Sequence, residues 1–174
     1  MGAMTFAQLQ AAVETHVDGV EMDAAQLALW LNEAQNDLSL DFGPVREKTY
    51  NGGDGTTQHS LPDDFICVLS TDGNYGFVTE GSLVFPAGGD VTITYRAFAE
   101  PFDGVNAAQV SELPASVHHL MPWFVASRYW LTEAEGDGEE MTQSNTFMQY
   151  YLAGKAQLLS RLSRGNRVNV WQVM

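Results

Sequence analysis

The hydrophobic positions of the first 43 residues repeat with the period of an α-helix. Thr5 and Gln8 have the spacing of a capping box, and the apolar residues of a first helix, 5–17, fall on one face. Asp23 and Gln26 have the spacing of a second capping box, which is predicted to open a helix that ends at Gly43-Pro44. Because each helix is apolar on one face only, we expect the two helices to share a core.

Between residues 45 and 102 the pattern changes to short apolar runs separated by glycine-rich turns. The runs predict strands at residues 46–50, 56–61, 65–69, 76–79, 82–85 and 91–95. Asn51-Gly-Gly-Asp-Gly55 is typical of a hairpin turn, because glycine accepts positive φ. We therefore expect the first two strands to pair within an antiparallel β insertion.

The remainder of the chain returns to helical periodicity. Ser111-Glu-Leu-Pro114 is predicted to open a third helix, in which Pro122 is a candidate for a kink. A fourth helix is predicted after the acidic turn at residues 133–140 and ends at about Arg164. Gly154 lies inside it and costs about 1 kcal/mol of helix propensity relative to alanine, which indicates close contact with a neighbouring helix.

These elements predict an α+β fold with a four-helix body and an antiparallel β insertion between helices 2 and 3. The body comprises residues 5–43 and 111–164, the insertion residues 45–102, and an extended C-terminal arm residues 165–174. A chain of 174 residues suits a single domain with a normal hydrophobic core.

Charge is distributed unevenly along the chain. All 22 acidic residues lie in residues 1–140 with four of the eight basic residues, so this part has a formal net charge of −18. Residues 141–174 contain the other four basic residues and no acidic residue, for a net charge of +4. Such segregation favours assembly with a partner over catalysis.

The last ten residues alternate polar and apolar positions as a strand does, although they follow a helix. Because an exposed apolar arm needs a partner, this region is the predicted binding surface. The predicted partner-binding residues are Arg161, Arg164, Arg167, Val168, Val170, Trp171 and Met174. Alternatively, the cations complement the dipole at the helix C-terminus and the arm packs against its own body.

Candidate chemistry is sparse. Cys67 lies in an apolar run and is expected to be buried rather than nucleophilic. Neighbouring His118 and His119 point about 100° apart on a helix, so one packed and one solvated histidine is the favoured interpretation. Asp63-Asp64 is typical of a turn or cap. The sequence contains no catalytic motif, no Cys or His residues at the spacing of zinc ligands, and no glycine-rich loop that ends in the Lys-Ser/Thr of a nucleotide-binding site. We therefore expect no enzymatic activity, no metal and no cofactor.

Nucleic acid and membranes are also unfavourable partners. Residues 1–140, with a net charge of −18, repel phosphate, and specific DNA binding needs several Lys or Arg contacts. The N-terminus lacks a signal-peptide pattern, and no segment approaches the roughly 18 apolar residues that span a bilayer. We therefore expect a soluble protein.

Four segments occur in an order that resembles a known family. They are Leu29-Trp-Leu-Asn-Glu-Ala-Gln-Asn-Asp-Leu38, Leu61-Pro-Asp-Asp-Phe65, Gly89-Asp-Val-Thr-Ile-Thr-Tyr-Arg-Ala97 and Glu112-Leu-Pro-Ala-Ser-Val-His-His-Leu120. Together they look like the head-to-tail connector proteins of tailed bacteriophages, also called adaptor or head-completion proteins, including the tail tubular protein A type. The resemblance covers residues 5 to about 164.

This resemblance implies a structural role in the virion neck, after assembly in the host cytoplasm. Similar proteins form a ring, typically of twelve copies, between the portal and the tail or a stopper. The ring extends the DNA channel. If the acidic residues of this chain line that channel, double-stranded DNA should pass without specific binding. In that family the C-terminal segment reaches the portal, so the predicted residues of the arm would face the portal or a neighbouring subunit.

Two other functions remain open from the sequence. Within virion assembly, the chain fits a tail-completion protein that joins the tail to the neck. From a different class, a small cytoplasmic enzyme or ligand-binding module would use the β insertion as a pocket.

Overall fold

The computed structural model describes residues 2–52, 56–73, 76–79, 81–85, 88–134 and 138–169. In these ranges the helices are α1 (Phe6–Glu14), α2 (Ala24–Phe42), α3 (Met121–Glu133) and α4 (Gly138–Asn169), with a 3₁₀ turn at His118–Leu120. The strands are β1 (Val45–Tyr50), β2 (Gln58–Ser60), β3 (Phe65–Thr71), β4 (Gly76–Thr79), β5 (Ser82–Val84) and β6 (Val91–Ala97). The predicted α+β fold, with the strands inserted between the second and third helices, is confirmed.

The first two helices each begin directly after an N-cap residue whose side chain accepts hydrogen bonds from the first-turn amides. Thr5 accepts a hydrogen bond from the Gln8 amide while the Gln8 side chain accepts one from the Thr5 amide, which confirms the predicted capping box. At the start of α2 the Asp23 side chain accepts from the amides of Ala25 and Gln26, so the Asp23 side of the predicted second box is present. Gly43 is the C-cap of α2, as predicted.

The six strands form two antiparallel sheets of three strands each within the described residues. Their orders are β1-β6-β3 and β2-β5-β4. Along β6, buried residues alternate with half-buried ones, so one face of this central strand points into the core. The Tyr50 ring lies 5.2 Å from the Phe85 ring and its hydroxyl donates to the Ser60 carbonyl, which joins the two sheets.

The predicted hairpin between the first two strands is wrong. β1 pairs with β6 and β2 pairs with β5, so the chain crosses from one sheet to the other between them. Gly52 lies so close to the backbone of Gly88 and Gly89 that a side-chain carbon there would clash. Glycine at this position therefore permits close approach of two backbone segments. Residues 53–55 of the turn lie outside the described residues.

The third helix begins later than the sequence predicts. Ser111 donates its hydroxyl to the Gln35 side chain and accepts from the Leu113 amide, so its local bonds favour a turn over a helix. The α-helix begins at Met121, with Pro122 in its first turn. Proline fits there because its missing N–H group has no helical acceptor, so Pro122 marks a start and not a kink.

The fourth helix is longer than predicted. It continues through residues 165–169, which were predicted to be extended, and residues 170–174 lie outside the described residues. Gly165 and Asn166 are weak helix formers, but no proline interrupts the helix, so they lower its stability without ending it. At 1.5 Å per residue α4 is about 48 Å long, against about 20 Å for α3.

All four helices contribute to one hydrophobic core. Its members include fully buried residues from α1, α2, the 3₁₀ turn and α3, and α4 adds the large side chain of Tyr151. The shared core expected for the first two helices is therefore present. The β insertion has a second apolar cluster of its own around Ile93 and Phe85.

Candidate assembly surface

The first half of α4 is fixed to the rest of the protein by close packing. Tyr151 is 1% exposed, and its ring lies 5.2 Å from that of Phe124 on α3. A side-chain carbon added at Gly154 would lie 2.5 Å from Leu120 Cδ2 and 3.3 Å from Trp123 Cζ3. The predicted close contact at this glycine is thus confirmed.

A charged network joins the same part of α4 to α2. Lys155 Nζ lies 2.8 Å from Asp37 Oδ2 and 3.1 Å from Asp41 Oδ2, and the Tyr151 hydroxyl donates to Asp37. Burial opposes the charged form of Lys155, but the hydrogen bonds and charges of the two carboxylates outweigh it and raise its pKa. Lys155 is therefore an internal ion-pair partner.

Arg161 differs from Lys155, six residues earlier on the same helix. It is exposed and forms no ion pair with any other described residue. It lies at the edge of a groove of about 400 Å³ between the end of α2, the segment before the 3₁₀ turn, and α4. We call this the Leu162 groove; besides Arg161 its lining comprises Asp41, Phe42, Gly43, Pro114, Ser116, Leu158 and Leu162. Leu162 is 55% exposed, so the groove has an apolar, solvent-facing wall.

The structure places only part of the predicted partner-binding set. Arg161 is on the groove edge, and the backbone of Arg164, Arg167 and Val168 continues the helix. Val170, Trp171 and Met174 lie outside the described residues. The groove residues other than Arg161 lie outside the predicted partner-binding set, although the spacing of Leu158 and Leu162 on one helical face is a signal visible in the sequence.

Of the Asp63-Asp64 pair, Asp64 belongs to an ion-pair clasp around Arg46. Arg46 Nη1 lies 2.5 Å from Asp64 Oδ2, and its Nη2 lies 2.6 Å from Glu112 Oε2. The Phe65 amide donates to the Pro62 carbonyl, which confirms the predicted turn. Arg46 thus ties the start of the β insertion to the segment that leads into the 3₁₀ turn. Beside the clasp is an open cleft of about 650 Å³.

The two adjacent histidines have structural contacts. His118 is fully buried; its Nδ1 accepts from the Met4 amide, so Nε2 carries the proton and donates to the Leu113 carbonyl. Burial lowers the pKa of His118, which favours this neutral form. His119 is half-buried against the Trp123 ring, so the predicted solvated histidine is wrong. Cys67, predicted to be buried, is also only half-buried.

No cluster of three or more metal-ligating side chains occurs among the residues that the structure describes. The helices in those same ranges include none with the length and apolar character to cross a bilayer.

Comparison with known proteins finds a similarity in the N-terminal part of the chain. Residues 4–82 match the SU10 adaptor protein family. This match, to a family of phage head-to-tail adaptors, confirms the resemblance that the sequence motifs indicated. No curated protein matches the chain.

The matched region extends from the start of α1 to the first residue of β5. It contains two of the four motif segments, at residues 29–38 and 61–65, and excludes the other two. Over these residues the chain is similar to structural phage adaptors, a family that is not a class of enzymes. The Leu162 groove is formed mainly by residues that follow the matched region.

Proposed function

We propose that this protein forms a ring, typically of twelve copies, between the portal and the tail or stopper of a tailed phage. The family match supports the adaptor role. The observation that carries the finer proposal is the second half of α4, whose side chains at residues 161–163 are exposed. This half extends beyond what the shorter α3 can cover.

The charge distribution supports the same arrangement. The acidic body would line a channel through which DNA passes without binding, because like charges repel. The acid-free second half of α4 and the residues after it would contact the portal or a neighbouring subunit. In this proposal Arg161, Arg164 and Arg167 supply positive charge, and Val168, Val170, Trp171 and Met174 supply apolar contacts.

Mass measurement of the protein with and without purified portal rings tests this function directly. Deleting residues 165–174 should leave the melting temperature of the free protein nearly unchanged and abolish attachment to the portal. If instead the melting temperature falls by many degrees while attachment survives, the segment belongs to the subunit's own fold. Lys48→Glu is the control for a change of charge away from α4, because this exposed cation lies on β1, in the β insertion, over the Tyr50 ring.

DNA binding provides an independent test of the channel. Double-stranded DNA should bind the isolated protein no more tightly than the non-specific range of about 10⁻⁴ to 10⁻⁶ M near physiological salt. A nanomolar complex in an anisotropy assay would overturn the passive channel and indicate a DNA-binding protein.

A further inference from the structure

The segment at residues 100–110, which we call the Val105 loop, is held by hydrogen bonds to α2 and by others within the loop. The Asn32 side chain donates to the Phe102 carbonyl at 3.0 Å and accepts from the Phe102 amide at 2.8 Å. Asp103 Oδ1 accepts from the amides of Val105 and Asn106, both at 2.8 Å. The loop therefore has one shape before any partner arrives, which lowers the entropic cost of binding.

This ordered loop presents an apolar side chain to solvent. Val105 is 88% exposed, the highest value among the large hydrophobic residues that are exposed in the described part of the chain. The preceding Gly104 has φ +74° and packs against Ala24 and Ala28, where an added side-chain carbon would lie 3.2 Å from the Ala28 Cβ. The base of the loop is thus seated on α2 while its tip points outward.

The Val105 loop and the Leu162 groove lie near opposite ends of α2. The loop packs on Ala24, Ala28 and Asn32, whereas the groove is lined by Phe42. From Ala28 to Phe42 the helix rises about 21 Å at 1.5 Å per residue. A loop seated at one end cannot reach the groove at the other end of the same copy.

The two ends also carry opposite charge. Glu21 and Asp23 lie at the start of α2, where the loop packs, and Asp103 is within the loop itself. The groove is lined by both Asp41 and Arg161, but Asp41 is already paired with Lys155 at 3.1 Å. Arg161, which has no ion-pair partner among the described residues, is therefore the uncompensated charge at the groove. Opposite charges at the two ends favour head-to-tail over head-to-head contact between copies.

We propose that the Leu162 groove of one copy receives the Val105 loop of the next. The occupant is a second copy of this chain, with Val105 against the apolar wall and Arg161 facing the acidic end of the neighbour. Such contacts join different surfaces of each subunit, which is the type of interface that closes into rings. This inference rests on the proposed ring and assigns it a lateral interface.

Disulfide trapping tests the contact in the full-length protein. Cys67 is first replaced by alanine, and Val105→Cys is then combined with Leu162→Cys. Oxidation should give a ladder of covalent oligomers, which reductant collapses to monomer. A bond within one copy is excluded because the two positions are separated by far more than the roughly 7 Å limit between the Cα atoms of a disulfide.

Leu152→Cys provides the matched control. Leu152 and Leu162 are both 55% exposed on α4, but they lie about 15 Å apart along the helix. Val105→Cys with Leu152→Cys should give no ladder. Equal ladders from both pairs would contradict this interface. So would the absence of a ladder from a protein that mass measurement shows to be oligomeric. Neither result would contradict the ring itself.

Two further experiments identify which segment occupies the groove and test whether the ring forms at all. A photoreactive phenylalanine analogue at position 162 should capture the Val105 loop of another copy. Capture of the portal or of residues 170–174 instead would show that the groove has a different occupant and that the proposal is wrong. A protein that stays monomeric both alone and with purified portal rings would overturn the ring and this interface together.

Discussion

The two halves of α4 belong to one helix but differ in what surrounds them. In the first half Tyr151 is buried against α3 and Lys155 is paired with two carboxylates of α2. In the second half Leu162 is 55% exposed and Arg161 has no ion-pair partner among the described residues. Both halves are helical, so they differ in their surroundings and not in secondary structure. The first half is packed within the subunit, and the second half is exposed and is the part proposed for assembly.

The largest expected effect comes from removing the buried aromatic ring of the first half. Tyr151→Ala should lower the free energy of unfolding by about 3–5 kcal/mol, because it leaves a cavity against Phe124. Leu152→Ala, at the exposed neighbouring position, should change it by less than about 0.5 kcal/mol. Denaturant titration measures both values. Equal destabilisation would show that Leu152 is also part of the folded core.

A smaller effect is expected from the ion pairs. Lys155→Gln leaves Asp37 and Asp41 without their cation and should cost about 1–2 kcal/mol, a value reduced because both carboxylates are about one-third exposed or more. Arg161→Gln should leave the unfolding free energy unchanged. A loss of stability in the Arg161 variant would contradict the proposed difference between the two halves.

The same pair predicts an acid dependence. Burial raises the pKa of Asp37, but hydrogen bonds from Lys155 and Tyr151 and the charge of Lys155 together lower it below the ordinary 3.8. The paired carboxylate therefore contributes stability above about pH 3.8, and this contribution is lost as the pH falls through the folded-state pKa. Lys155→Gln should reduce the dependence of the unfolding free energy on pH in this acidic range.

Hydroxyl groups give the next comparison. Ser144 donates to the Ser127 carbonyl at 2.9 Å in the buried contact between α4 and α3. Ser144→Ala should cost about 1 kcal/mol, the usual net value of an intramolecular hydrogen bond. Ser163→Ala, on the exposed half, removes a bond to its own helix and should be near neutral. Thermal unfolding of the two variants should therefore separate them by a few degrees.

The smallest effect is expected from His118, which lies in the 3₁₀ turn beside the first half of α4. Because burial holds its folded-state pKa below the ordinary 6.5, the unfolded chain binds more protons between those two values. Stability should be full above about pH 6.5 and decrease as the pH falls through that window. His118→Gln should reduce this slope without abolishing it, because burial also lowers the pKa values of His16 and His119. An unchanged slope would contradict the assignment.

Local signals in the sequence were sufficient for most elements of the fold. The capping box at Thr5, the glycine-proline stop at residues 43–44 and the strand at residues 76–79 were all predicted. Each depends on residues close together in the chain, such as a side-chain cap or a helix-breaking proline. The contact at Gly154 was also predicted, because glycine inside a helix is costly without a packing reason.

Strand pairing and the environment of each cation were decided by tertiary structure. Tyr50 pairs with Val91, and Lys155 meets Asp37, over separations that no local pattern encodes. The sequence determined that the C-terminal region is basic, whereas only the fold separated Lys155, which is neutralised inside the body, from Arg161, which is exposed beside an apolar groove. The physical reason is that a cation's role depends on which carboxylates the packed helices bring within hydrogen-bonding distance.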